Sequence, residues 1–227
     1  MSNNFYNATG ALVLDAVTPV IRALFNGFKL DSRAAATGQA YIAKQWDVSK
    51  PQWEDVQSEL VALCEELGLP IAGDFETLEA CLSALGKKFD VDRDETLLHF
   101  IESHPFDGDA DLQTLFELAI RFDDGHGLKA LVFEGGWHSD CPDLFEFGGE
   151  GHFLSNQFAQ TSNSHDIITF GEKLREKLSS GDLDGCTKLF DGELTRLLDG
   201  IRNASQRIEI RERLGMLLAD EYGYVPF

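Results

Sequence analysis

The sequence predicts an α+β fold: a small mixed or antiparallel sheet with an acidic helical block and a C-terminal helical bundle. Apolar residues recur at helical intervals through 51–122 and again through 161–227, whereas 127–154 holds two strand-forming runs joined by turn residues. We therefore expect an α+β domain over 1–160 that contains the acidic helical insertion and the central hairpin. The helical bundle over 161–227 either packs on the same core or forms a unit of its own.

The first 48 residues predict a β-α-β-β arrangement. A short apolar segment over 11–17 favours an opening strand, and a helix is expected to begin at Thr18-Pro19, with the hydroxyl as N-cap and Pro at the first helical position. Gly27 ends this helix. The runs 28–30 and 39–46 then predict two further strands.

Four helices are predicted in the acidic block, over about 51–67, 75–89, 92–104 and 109–121. Their starts combine capping residues with Pro or Asp, as at Ser49-Lys50-Pro51, and their apolar residues recur every three or four positions. From Glu54 to Asp124 there are 19 acidic and four basic residues, so three quarters of the net charge of the chain lies here.

The total charge restricts the class of partner. The chain has 227 residues, of which 43% are hydrophobic, and its 39 Asp and Glu against 19 Lys and Arg give a net charge of −20. Because nucleic acids are bound mainly through Lys and Arg, free DNA or RNA is not an expected ligand. The expected partner is a host protein or ribonucleoprotein complex with a basic nucleic-acid-binding surface. The acidic face that would bind it comprises Glu54, Asp55, Glu59, Glu65, Glu66, Glu76, Glu79, Asp94, Glu95 and Glu102.

The glycine-rich stretch 122–153 offers a second hypothesis. It contains three of the six histidines, and two similar runs, VFEGGWH and FEFGGEGH, each place a His after paired glycines. Imidazoles and carboxylates suit zinc or another divalent metal, so a metal-dependent hydrolase would use His126, His138, Asp140 and His152. A tight structural hairpin explains the same glycines without chemistry, because paired glycines permit positive φ and close backbone approach.

Common enzyme and cofactor motifs are missing from the sequence. Gly148-Gly149-Glu150-Gly151 is followed by no Lys-Ser/Thr pair, and there is no G-x-S-x-G, H-E-x-x-H or calcium-loop spacing. The four cysteines form no C-x-x-C pair, which predicts scattered reduced thiols. We expect no cofactor, and a non-enzyme rather than an enzyme.

Three helices are predicted after the central stretch, beginning near Ser164, Asp182 and Ser205, and their short connections favour an antiparallel bundle. The apolar tail 222–227 is expected to dock on its own domain or on a partner, and a homo-oligomer through this tail is one outcome. There is no signal-peptide pattern and no apolar run of bilayer length, so we expect a cytoplasmic protein without membrane contact.

Two segments, FYNATGALVLDAVTPVIRALFNGF and RFDDGHGL…FEGGWHSDCPDLFEFGGEGHFLS, resemble a family of uncharacterised accessory proteins of bacterial conjugative elements and plasmids. The resemblance covers most of the chain and is weakest in the C-terminal helices. It brings no established activity and no catalytic residues. It implies the setting of a mobile genetic element, in which acidic anti-CRISPR and antirestriction proteins act as inhibitors and DNA mimics. A structural accessory of conjugation or replication is a further alternative.

Overall fold

A computed structural model describes residues 4–45, 51–70, 77–140 and 146–221. It confirms the α+β class: the strands lie in one antiparallel sheet in the order β2-β1-β3-β4-β5, and most of the helices lie between β2 and β3 or after β5. The predicted cap at Ser49, the acidic residue Glu76 and the tail 222–227 lie outside the described residues.

The N-terminal strand is the centre of the first three strands. β1 (Asn4–Val13) pairs on one side with β2 (Gln39–Gln45) and on the other with β3 (Ala130–Ser139), both antiparallel. Gly10 lies opposite both Ile42 and Phe133. A Cβ at this position would lie 2.7 Å from the Phe133 ring and closer still to the Val132 carbonyl oxygen, so the register requires a residue without a side chain.

Helices cover one face of these strands. They are α1 (Pro19–Phe25), α2 (Trp53–Glu66), α3 (Leu78–Lys88), α4 (Glu95–Ser103) and α5 (Leu112–Arg121). α1 contacts both α2 and α5, and α2 contacts α3. The core between them and the sheet contains fully buried side chains such as Phe25, Trp53 and Phe116, which supply most of the hydrophobic free energy of this part of the chain.

Side-chain caps fix most of the helix starts. Thr77, Asp94, Asp111 and Asp182 each accept a hydrogen bond from a backbone N–H two or three residues later. Asp94, Asp111 and Asp182 are among the residues that the sequence places at helix starts, and these helices begin within a few residues of the predicted positions. Thr77 was not predicted as a cap, since the start of its helix was expected near residue 75. α1 is the exception, since Pro19 stands at its first turn but the Thr18 hydroxyl makes no capping hydrogen bond.

The remaining elements follow the central hairpin. They are β4 (Phe147–Ser155), β5 (Ala159–Asn163), α6 (Ser164–Ser180), α7 (Leu183–Asp199) and α8 (Ala204–Glu221). Residues 1–149 and 150–227 form two compact units. The division expected near residue 160 stays a prediction, because compactness in space does not measure independent folding.

Two strand predictions are wrong in detail, and one strand was not predicted. β1 lies at 4–13 rather than 11–17, and Asn26–Phe28 is a 3₁₀ helix instead of the start of a strand. Phe28 is buried and its ring meets that of Phe133 edge to face at 6.4 Å, so tertiary packing overrides its strand propensity. β5 was not predicted, since its sequence AQTSN is polar and short. Among the described residues, no helix is long and apolar enough to cross a bilayer.

Candidate partner-binding surface

Three of the ten predicted acidic-face residues have structural roles. Asp55 completes a capping box, in which its Oδ2 accepts from the Gln52 backbone N–H at 3.0 Å. Glu59 Oε1 accepts from the Asn26 side-chain amide at 2.8 Å, which ties α2 to the end of α1. These carboxylates are explained by folding of the first unit.

Asp94 is the third, and it joins two helices. Its Oδ1 accepts from the backbone N–H groups of Thr96 at 2.8 Å and Leu97 at 3.0 Å, and its Oδ2 lies 3.4 Å from Arg121 Nε. The hydrogen bond from Leu97 and the nearby guanidinium hold the pKa of Asp94 below its ordinary value. Arg121 also pairs with Glu117 at 2.8 Å, so this half-buried cation serves as an internal counter-ion of α4 and α5.

Six predicted residues are unengaged within the part of the chain described. Each is at the surface, and no described side chain forms an ion pair or hydrogen bond with its carboxylate: Glu54, Glu65, Glu66, Glu79, Glu95 and Glu102. We call these six residues the free carboxylate set. Their charge is available to an external cation.

The free carboxylate set is spaced along helices rather than packed into a continuous row. Glu54 and Glu65 are eleven residues apart, which places them on the same side of α2 about 16 Å from each other. Glu95 and Glu102 are seven residues apart on one side of α4, about 10 Å along its axis. Lys87 and Lys88 in the last turn of α3 are also exposed, so the surface is predominantly and not uniformly acidic.

An aromatic cluster anchors the loop between α4 and α5 to the start of α2. The His104 ring lies 5.0 Å from Trp53 and 4.6 Å from Phe106, measured between ring centroids, and its Nδ1 accepts from the Phe106 N–H at 3.0 Å. Backbone hydrogen bonds from Trp53 N–H to Gly108 O and from Ala110 N–H to Pro51 O close the same junction. This junction ties the start of α2 to the loop that follows α4, and both of these helices carry free carboxylates.

His126, the first predicted metal ligand, is fully engaged in the fold. It is 1% exposed, its Nε2–H donates to the Ala119 carbonyl at 3.0 Å, and its Nδ1 accepts from the Leu128 N–H at 2.9 Å. Both ring nitrogens thus hold the segment after α5 in place. A metal bound to either nitrogen would have to displace one of these hydrogen bonds.

Two neighbouring aspartates complete this junction. Asp123 accepts from the backbone N–H groups of Gly125 and Gly127; although burial raises the pKa of Asp123, these bonds hold it below its ordinary value. Asp124 Oδ2 accepts from the Val20 N–H at 3.1 Å, which caps α1 in place of Thr18. Asp123, Asp124 and His126 offer ligand atoms within 4.8 Å of one another, but their contacts serve the chain itself.

The other predicted metal ligands lie elsewhere. His138 is near the far end of β3, and its ring stacks on Phe5 with centroids 5.1 Å apart. Along β3, the path from its start near His126 to His138 is about 26 Å, so the structure does not bring these two histidines together. Asp140 directly follows β3, and His152 lies on β4 with its Nε2 3.5 Å from Glu150 Oε2.

Sequence reasoning missed two residues that organise the surface. In the sequence, Arg121 was noted only as a basic residue in a helix. Asp124 was noted only as one of several acidic residues in the central stretch. No local pattern marks either, because their partners Asp94 and Val20 are distant in the chain. Comparison of the chain with protein-family models, curated proteins and solved structures gave no match.

Proposed function

We propose that this protein is a non-enzymatic, acidic interaction protein whose free carboxylate set binds a basic nucleic-acid-binding surface of a partner. The observation that carries the proposal is the presence of six exposed carboxylates without a counter-ion among the described residues, on helices that pack against one another. Folding accounts for Asp55, Glu59 and Asp94. Glu54, Glu79 and Glu95 lie in first helical turns, where their charge also favours the helix dipole, whereas no structural role is found for Glu65, Glu66 and Glu102 among the described residues.

Electrostatics favours such a partner. A net charge of −20 accelerates encounter with a cationic surface and repels phosphates. The helices α2–α4 are folded before binding, so only the Glu side chains and not their backbone must be ordered, and each carboxylate replaces a phosphate that the partner would otherwise contact. The protein would act as a DNA mimic that blocks its partner by occupying the groove.

The proposed biological setting is a mobile genetic element. Resemblance to accessory proteins of conjugative elements and plasmids supports a partner among host defence complexes, and the protein would then act as an anti-CRISPR or antirestriction inhibitor. The metal-dependent hydrolase is not proposed, since both ring nitrogens of His126 are occupied by the fold.

Charge reversal tests this proposal. Glu65, Glu66 and Glu102 lie in the last turns of α2 and α4, where Lys is compatible with the helix dipole, so replacing all three with Lys preserves folding. The tagged full chain is expected to capture a host complex from bacterial extract, to release it on addition of salt or duplex DNA, and to lose this capture in the triple variant.

The matched control reverses three exposed carboxylates outside the free carboxylate set: Glu134→Lys, Glu172→Lys and Glu176→Lys. It changes the net charge by the same amount and should capture the same complex. The proposal fails if the complex survives the reversal of Glu65, Glu66 and Glu102, or if neither salt nor duplex DNA releases it.

A further inference from the structure

The three C-terminal helices bury almost none of their own apolar surface. α6, α7 and α8 each have 17 or 18 residues, yet Cys186 and Leu198, both on α7, are the buried positions among their described side chains. Helices of this length derive most of their stability from tertiary packing of an apolar face. The contacts among the described residues do not provide that packing.

Among the described residues, few side-chain contacts join these three helices. The rings of Phe170 on α6 and Phe190 on α7 meet at 5.4 Å between centroids. α8 is tied to α7 by the ion pair of Arg211 with Asp191 at 3.0 Å. These contacts orient the helices and leave their outer apolar residues uncovered.

Each helix carries an apolar stripe at helical spacing. On α7, Leu183, Phe190 and Leu197 are separated by seven residues each, and the first is 68% exposed. Ile167 and Leu178 lie on the same side of α6, and Ile210 and Leu217 on the same side of α8; all four are exposed. Such stripes are typical of helices that pack against other helices.

The uncovered area is large enough for a stable interface. Eleven large apolar side chains of α6–α8 are between 40% and 71% exposed: Ile167, Ile168, Leu178, Leu183, Phe190, Leu197, Ile208, Ile210, Met216, Leu217 and Leu218. Summed over several sides of the three helices, they expose on the order of 1,000 Å², and a standard interface buries about 800 Å² per partner.

Charge favours a second copy of the chain as the occupant. Residues 150–227 have 13 acidic and nine basic residues, whereas 1–149 have 26 and ten. With a net charge of −4 against −16, two copies would repel each other less through these helices than through their first units. In α8, Arg207, Arg211 and Arg213 already pair with Asp199, Asp191 and Glu209 of the same chain, so most of its charges need no partner across an interface. A lipid surface fits less well, because anionic headgroups repel a net negative unit.

We propose that α6–α8 form the interface of a homodimer, in which the apolar stripes of one copy pack against those of the other. This interface is independent of the free carboxylate set on α2–α4 and of the partner proposed for it. In the dimer the apolar stripes become buried, and α6–α8 become the most stabilised part of the second unit on association.

The mass of the full chain in solution tests the dimer. Sedimentation equilibrium over a concentration series is expected to give twice the 25.2 kDa of one chain. The variant Leu183→Glu, Met216→Glu, Leu217→Glu, which alters three of the most exposed of these residues, should sediment as one chain. The control Tyr41→Glu, Val132→Glu, Phe147→Glu changes three exposed apolar residues of the sheet and should remain a dimer.

A monomeric wild-type chain overturns the proposal, as does a dimer that survives in the helix variant or is lost only in the sheet control. Circular dichroism verifies that each variant is folded. If the helix variant does not fold, hydrogen exchange of the wild-type chain decides: amides of α6–α8 should exchange more slowly as concentration rises, while those of β1–β3 stay unchanged. Exchange that does not depend on concentration in α6–α8 overturns the dimer.

Discussion

Asp94 and Arg121 connect two helices of the acidic block: Asp94 Oδ2 lies 3.4 Å from Arg121 Nε, while Oδ1 of the same carboxylate caps α4. One acidic residue thereby serves as helix cap and ion-pair partner at once. Asp94 therefore belongs to the carboxylates that stabilise the first unit, and not to those that remain available to a partner.

Replacing Asp94 with Ala should destabilise the protein by about 1–2 kcal/mol, because it removes a cap and leaves Arg121 with only Glu117. Chemical unfolding followed by circular dichroism measures the change. Glu102→Gln is the matched control and should change the free energy of unfolding by less than about 0.5 kcal/mol, since Glu102 makes no contact among the described residues. Equal effects of the two changes would contradict the role given to Asp94.

The stability that Asp94 provides should depend on pH. Its pKa in the folded protein is lowered from the ordinary value of 3.8, so the charged form contributes stability that is complete above this value and is lost as pH falls through the folded pKa. Asp94→Asn keeps a capping side chain and removes the charge. The difference in unfolding midpoint between wild type and this variant should be largest near neutral pH and shrink in acid. A difference that grows as pH falls would contradict a stabilising role of the Asp94 charge.

His126→Ala should destabilise the protein by about 2–4 kcal/mol, because it removes two hydrogen bonds and a buried ring. His138→Ala should cost less than about 1 kcal/mol, since that ring is exposed and loses only stacking, on Phe5 and more distantly on Phe147. Thermal unfolding compares the two variants. A stable His126→Ala variant that loses stoichiometric metal by elemental analysis would favour the hydrolase hypothesis instead.

Gly10→Ala should destabilise the sheet by about 1–3 kcal/mol, because the added methyl group meets the Phe133 ring at 2.7 Å. Gly171 lies inside α6 with no atom near the position of a Cβ. Gly171→Ala should therefore stabilise the helix by about 0.5–1 kcal/mol. A Gly10→Ala variant at least as stable as the wild type would contradict the register of β1 against β3.

Parts of the fold that depend on local chemistry could be predicted. The helices at 78–88, 95–103 and 112–121 begin where Thr77, Asp94 and Asp111 cap them, and a cap acts within three residues. Strands were harder to place. Phe28 has strand propensity but lies in a 3₁₀ helix, since its position is decided by the Phe133 ring.

The candidate site, like the fold, could be predicted from the sequence only in part. The sequence showed that 54–124 is strongly acidic, but not which carboxylates are engaged, because Glu59 finds Asn26 across 33 residues. The histidines looked like one group in the sequence. In the structure the length of β3 separates His138 from His126, and His126 turns inward to Ala119 and Leu128.

The sequence by itself determined the α+β class, the helix starts and the charge, since these follow from composition, periodicity and contacts within a few residues. Only the tertiary structure decided that Asp124 caps α1 from 104 residues away, that six carboxylates stay free among the described residues, and that α6–α8 leave their apolar stripes uncovered. The physical reason is that a side chain's partner depends on which elements pack together. Packing of distant segments is not encoded in any short stretch of the chain.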